Sequence, residues 1–232
     1  MHFTKIQAAR LSIVSNTLLI AIKFVAGLIT GSVSMISEAI HSVMDLLAAI
    51  IAFFAVRLSD TPPDKRHPYG HGKFENVSGV IEGLLIYAAV IWIVYEAIDK
   101  LQNPGEVKYV MIASIIMISS AVINFIISNI LYKTAKENDS VALEADALHL
   151  RTDVYTSAGV GIGLLILWIT DLHILGSIIA IGVALFILFE ASKLINKAFS
   201  PLVDSSLDEK DISTINEIMK TQNIPIYHLK TR

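Results

Sequence analysis

The sequence predicts an all-α integral membrane protein: a bundle of six transmembrane helices with both termini in the cytoplasm. Three observations predict it. Hydrophobic residues make up 54% of the 232-residue chain and charged residues only 17%, with a mean hydropathy of +0.63, whereas a soluble domain carries about a quarter charged residues. The apolar residues fall in blocks of about 20 or more, long enough to cross a hydrocarbon core of about 30 Å at 1.5 Å per residue. The basic residues sort to one side. Lys5, Arg10, Arg57, Lys65, Arg66, Lys73, Lys133, Lys136, Lys193 and Lys197 lie at one end of the spans and only Lys100 and Lys108 at the other, which places both termini and the loop around 59–73 in the cytoplasm.

The first span is expected over 10–30. It follows an amphipathic start, and its apolar run is too long for a cleaved signal peptide. A tight Thr30-Gly31-Ser32 turn leads to the second span, 33–57, and the polar loop to the third, 76–99. Asn103-Pro104-Gly105 separates this from the fourth, 108–133. Lys136 to Asp139 precedes the fifth, 141–169, and Thr170 to His173 the sixth, 174–198. The transmembrane unit is thus expected over 1–200. After Ser200-Pro201 the composition turns soluble, and 201–232 reads as the start of a second, truncated domain, since about 30 residues are too few for an independent core.

A net charge of −3 and a pI near 6.1 give no reason to expect a nucleic-acid partner. Without cysteine there is no disulfide framework, thiolate zinc site or cysteine nucleophile, so a bound metal must be held by His, Asp and Glu.

Ionisable groups at membrane depth are costly and therefore candidates for function. The second span contains His41 and Asp45, the fifth His149 and Asp153. Each pair is spaced i, i+4, which sets both side chains on one helical face. The pairs sit at matched depths on antiparallel helices, so two imidazoles and two carboxylates can meet at one level. That set makes a tetrahedral shell for a borderline divalent ion, Zn²⁺ first, with Co²⁺ or Fe²⁺ tolerated. One such pair alone reads equally well as an interhelical hydrogen bond or a proton relay; the second copy favours a metal.

The loop between the second and third spans offers Asp64, His67 and His71, which its Gly and Pro residues allow to wrap around one exposed cation; a merely solvated loop is the alternative. Lys23 reads as snorkelling or as neutralising an acidic neighbour. Glu38, Glu82, Asn124 and Asn129 are expected to face the bundle interior, and Asp146 to support His149. Gly159, Gly161 and Gly163 read as helix-packing residues, and His2 and His173 as surface residues.

These residues together resemble the cation diffusion facilitators, which export divalent metals in exchange for protons. Four stretches carry the resemblance: Thr30-Gly-Ser-Val-Ser34, His41-xxx-Asp45, His67-Pro-Tyr-Gly-His71-Gly-Lys73-Phe-Glu75, and Ala145-Asp-Ala-Leu-His149-Leu-Arg-Thr-Asp153. It implies a homodimer in the lipid bilayer of a prokaryotic plasma membrane, with no small organic substrate. It further implies a transport site at His41, Asp45, His149 and Asp153, and a peripheral site at Asp64, His67 and His71. Lys73 and Asp204 resemble the charge pair that locks such dimers near the membrane surface. Members with Asp at the position of His41 accept cadmium more readily, so this form favours zinc. Members usually continue into a cytoplasmic ferredoxin-like domain, of which 201–232 resembles the first helix and the start of a strand; the register around Tyr227-His228 is ambiguous.

The expected function is therefore a secondary active transporter exchanging Zn²⁺, or Fe²⁺, Co²⁺, Cd²⁺ or Mn²⁺, for protons by alternating access. An intramembrane metalloenzyme fits less well, because it needs an open coordination position and a separate base. A sensor or structural module without transport is the remaining alternative.

Overall fold

The computed structural model describes residues 3–30, 33–102, 110–170, 173–207, 209–221 and 229. The Gly31-Ser32 turn, Asn103-Pro104-Gly105, Lys108, His2, Tyr227 and His228 lie outside the described residues. So do the side chains of Glu38, Lys100 and His173 and the surroundings of Gly159, Gly161 and Gly163.

Six long helices follow one another: α1 Lys5–Thr30, α2 Val33–Ser59, α3 Lys73–Gln102, α4 Val110–Glu137, α5 Val141–Thr170 and α6 His173–Phe199. A 3-10 turn, Ser200–Val203, and a shorter helix, α7 Glu209–Thr221, end the described chain. No strand occurs among the described residues.

α1 starts five residues before the expected span because of a capping box. The Gln7 amide donates to Thr4 Oγ1 at 3.3 Å, and the Thr4 amide donates to Gln7 Oε1 at 3.1 Å, satisfying donors that a helix start otherwise leaves open. α5 starts at the expected place; Asp139 takes a left-handed φ of 48° and Ser140 Oγ accepts from the Leu143 amide at 3.4 Å.

Among the described residues, five stretches are long and apolar enough to cross a membrane: Lys5–Ile29, Ala39–Ser59, Lys73–Asp99, Ile115–Glu137 and Ile178–Val203. α5 matches α3 in length at 30 residues, and the side chains of 159–170 lie outside the described residues. Its first half carries Glu144, Asp146, Arg151 and Asp153. α5 is nevertheless the helix that packs against all five others: most closely α4, then α6, α3, α2 and α1. α1 lies along α2, and α3 along α6.

The interfaces are built from small residues. Ala8, Ala9, Ala55, Ala135, Ala142 and Ala147 pack with Val56, Leu131, Leu143 and Leu150 in one cluster. Ala145, Ala184 and Ala191 pack with Ile86, Val90, Ile187 and Leu194 in another. Small side chains let backbones approach closely, the usual basis of helix association in lipid. The large apolar residues face outward instead, Phe54, Ile91, Trp92, Ile118, Phe125 and Phe189 among them. Such a surface would be a liability in water and suits a hydrocarbon environment.

Close approach is tightest at Gly83 of α3, where a Cβ would stand 2.3 Å from Ile195 Cγ1 of α6. Gly83→Ala is therefore expected to lower stability by about 1–3 kcal/mol through overpacking, read as a lower unfolding temperature of the purified protein; an unchanged temperature would show that the interface can relax.

Candidate metal site

The helical period places Asp146, His149 and Asp153 on one stripe of α5, at i, i+3 and i+7, and His41 and Asp45 on one face of α2. Packing of α5 against α2 turns these faces toward each other. His149 Nε2 lies 3.1 Å from Asp45 Oδ1, and His41 Nε2 lies 4.0 Å from both Asp45 Oδ1 and Asp153 Oδ1. One ligand atom each from His41, Asp45 and Asp153 falls within a 4.8 Å span. Ligands on a tetrahedral zinc ion at about 2.0–2.2 Å stand roughly 3.4 Å apart. His41, Asp45 and Asp153 thus approach the spacing of a tetrahedral site, and His149 joins them through Asp45. Asp45 and His149 are buried, Asp153 is half-buried, and His41, with 47% of its side chain exposed, forms the open edge.

Two further helices reach this cluster. Asn124 of α4 is buried and directs Nδ2 at Asp153 Oδ2 at 3.5 Å, the outer limit of a hydrogen bond. Lys23 of α1 does not snorkel: it is only 9% exposed and donates to Ser42 Oγ at 2.8 Å, where its ammonium adds positive potential at Asp45. Asn129 corrects the expectation of an inward-facing residue. It lies on the outer surface, where its Oδ1 accepts from Arg151 Nη2 at 3.1 Å and the guanidinium stands 4.3 Å from the Tyr132 ring centre. A guanidinium at this depth is held by a partner and an aromatic face. Glu82 does face the interior. Asp146 is buried within electrostatic range of His149, yet both its oxygens and His149 Nδ1 lack hydrogen-bond partners, so it does not support that imidazole directly.

Glu75 is a residue that sequence reasoning passed over. Buried at the start of α3, it accepts from Lys5 Nζ at 3.1 Å, from Ser59 Oγ at 2.6 Å and from Ser140 Oγ. This one carboxylate ties α1, α2, α3 and the cap of α5 together at the end where the 59–72 loop lies. The only available signal was a lone acidic residue in the first turn of an apolar helix.

The loop also forms a compact cluster. Gly70, at φ +87°, donates its amide to His67 O at 3.0 Å and turns the chain back, a conformation that favours glycine. Asp64 Oδ1 accepts the amides of His67 at 2.6 Å and Arg66 at 2.7 Å. Its oxygens lie 3.2 Å from His67 Nδ1 and 3.6 Å from His71 Nε2, and the two imidazole centres are 4.5 Å apart. The backbone amide of His67, followed by that of Arg66, holds the exposed Asp64 carboxyl below the usual range. A depressed folded value means that the carboxylate's contribution is present above the unfolded value, near 3.9, and is lost only as pH falls through the folded one. Lys73 and Asp204 pair within this chain, Nζ to Oδ1 2.7 Å, joining the start of α3 to the left-handed residue after the 3-10 turn. The pair is solvent-exposed, so it contributes at most about 1 kcal/mol.

A family model described as the cation efflux transmembrane domain matches residues 9–203. An uncharacterised transporter of Synechocystis sp. is 34% identical over 227 residues, covering 97% of this chain and 73% of the relative. The cation-efflux pump FieF of Shewanella oneidensis is 28% identical over 97% of this chain and 76% of its own. The magnetosome protein MamB of Magnetospirillum gryphiswaldense is 30% identical over 89% of this chain and 68% of its own.

The loop geometry makes Asp64 the shared partner of both imidazoles. Asp64→Asn is expected to weaken zinc binding at the loop at least tenfold, consistent with the loss on removing a charged partner from a metal site. Calorimetric titration in a protein lacking His149 and Asp153 reads this loss without the His/Asp pocket, and unchanged binding would remove Asp64 from the loop site.

Proposed function

The chain belongs to the cation efflux family, and from that premise we propose that it exports zinc in exchange for protons, binding the ion between His41, Asp45, His149 and Asp153. Cation efflux and multi-pass membrane insertion follow from the family and from the apolar helices; the metal, the counter-ion and the ligand set are what we propose. The observation that carries it is the meeting of two His/Asp pairs from α2 and α5, with Asp45 within 3.1 Å of His149 and 4.0 Å of His41.

Two imidazoles and two carboxylates suit a borderline divalent ion, and the two carboxylate charges balance a Zn²⁺ inside low dielectric. Ligands must be deprotonated to bind metal, so proton and metal compete for the same atoms. Because one atom holds either a proton or the metal, the pocket can trade one cargo for the other. Zinc enters from the cytoplasm, a rocking of the bundle turns the pocket outward, and protons displace the ion there. Fe²⁺, Co²⁺, Cd²⁺ and Mn²⁺ are lesser cargoes. The Lys/Arg bias supports cytoplasmic termini and a loop site facing the cytoplasm, in a prokaryotic plasma membrane. The dense packing around α5 supports its spanning the membrane as the sixth helix despite its charge. A homodimer is the working assembly, with Lys73 and Asp204 steadying the membrane-proximal end, and 201–232 belongs to a cytoplasmic domain.

Asp45→Ala in proteoliposomes is expected to reduce pH-driven zinc flux to the vesicle background while leaving helix content and elution profile unchanged; flux at the unsubstituted rate would sink the assignment. His41→Asp replaces the imidazole at the open edge with an oxygen donor and is expected to raise the Cd²⁺ rate relative to Zn²⁺ several-fold in the same assay. A ratio that stays put would show that this ligand does not set selectivity.

A further inference from the structure

Among the described residues, six of the eight buried side-chain polar atoms without a partner belong to α1, α3 and α5. Asp146 Oδ1 and Oδ2, Glu82 Oε2, Ser12 Oγ, Asn16 Nδ2 and His149 Nδ1 all lack hydrogen-bond partners. Their residues come from α1, α3 and α5, and each is at least nine-tenths buried, with Glu82 and Asp146 at 0% exposure. Asp146 stands beside Ser12 and within electrostatic range of Glu82 and His149. Asn16 lies one turn from Ser12 on the same face of α1. Ser78 donates to the other oxygen of Glu82 at 3.1 Å.

Buried polar groups in folded proteins nearly always find a partner, and two buried carboxylates within electrostatic range of each other are costly unless a cation or bound water joins them. None of these atoms is used by the His/Asp pocket, where His149 contributes Nε2. Asp146 also lies three residues, about 4.5 Å of helix axis, nearer than His149 to the end that carries Lys5 and the 59–72 loop.

We propose that Glu82 and Asp146, with Ser12 and Asn16, form a second cation site, an oxygen-lined station that holds a partly hydrated divalent ion on its way to the His/Asp pocket. The inference rests on the transport reading for its role but not for the binding itself. Carboxylate, hydroxyl and carboxamide oxygens are hard donors that suit an ion retaining part of its water shell. The Asn16 and Ser12 donors face those waters, and the ion trades the remaining ones for imidazole in the next step. Replacing the shell in two stages avoids stripping a divalent ion in a single move.

Mn²⁺ is the probe, read by electron paramagnetic resonance on the full chain in nanodiscs. Asp45→Ala, Asp153→Ala, His67→Ala and His71→Ala together remove the other two clusters. That parent is expected to retain about one Mn²⁺ per chain. Adding Glu82→Gln and Asp146→Asn should weaken this binding at least tenfold, and adding Asn16→Ala, which changes no charge, several-fold. No binding in the parent, or equal binding after Glu82 and Asp146 are neutralised, overturns the station. A second measurement avoids the multiple variant: Glu82→Gln alone should raise the KM for zinc at least fivefold with kcat little changed, and an unchanged KM also counts against it. If the unsubstituted protein moves no zinc at all, the transport reading fails while the Mn²⁺ result still decides whether the site exists.

Discussion

The polar half of α5 must be kept out of lipid, and the rest of the bundle is arranged around that requirement. Glu144, Asp146, His149, Arg151 and Asp153 occupy ten residues of one helix, each costly if left facing hydrocarbon. α5 meets every other long helix; Asp45 from α2, Asn124 from α4 and Lys197 from α6, which pairs with Glu144, answer its charges, while Ser12 of α1 and Glu82 of α3 lie near Asp146. Only Arg151 turns outward, and there it rests against Tyr132 and Asn129.

Such encirclement is possible because the contact surfaces are nearly bare. Alanines fill the interfaces around α5, and Gly79 and Gly83 let α3 approach α6 more closely than a methyl group would allow. In lipid there is no hydrophobic gain from association, so close van der Waals packing and internal hydrogen bonds must hold the helices. Glu75 accepts three of these bonds at one end, fastening three helices and the cap of a fourth through a single carboxylate. The His/Asp cluster stands deeper, where movement between α2 and α5 would alter its geometry most directly.

The two His-containing clusters differ in what their surroundings allow. At the loop, Asp64 and His67 are exposed, water and salt screen their charges, and backbone amides rather than burial set the state of Asp64. Between α2 and α5 the same residue types face each other out of water, where charge balance dominates. A divalent ion bound there would answer two carboxylates at once, which the exposed loop does not require. The chemistry available to one pair of residue types is thus decided by depth.

The sequence by itself determined the helices and the faces within them. Apolar block lengths set where spans lie, and the i, i+4 spacing of His41 with Asp45 and His149 with Asp153 set which side chains share a face, because both follow from the geometry of one helix. It could not determine how each helix is rotated and offset against its neighbours, and only the tertiary structure decided that. Asn129 sits five residues from Asn124 in the same helix, yet one faces lipid and the other Asp153. Lys23 looks free to reach the interface, but the packing of α1 against α2 buries it against Ser42. His149 is closer to Asp45 of another helix than His41 is in the same one. Helical period fixes an angle around one axis; the meeting of Glu82, Asp146 and Ser12 depends on three axes at once, which local spacing does not encode.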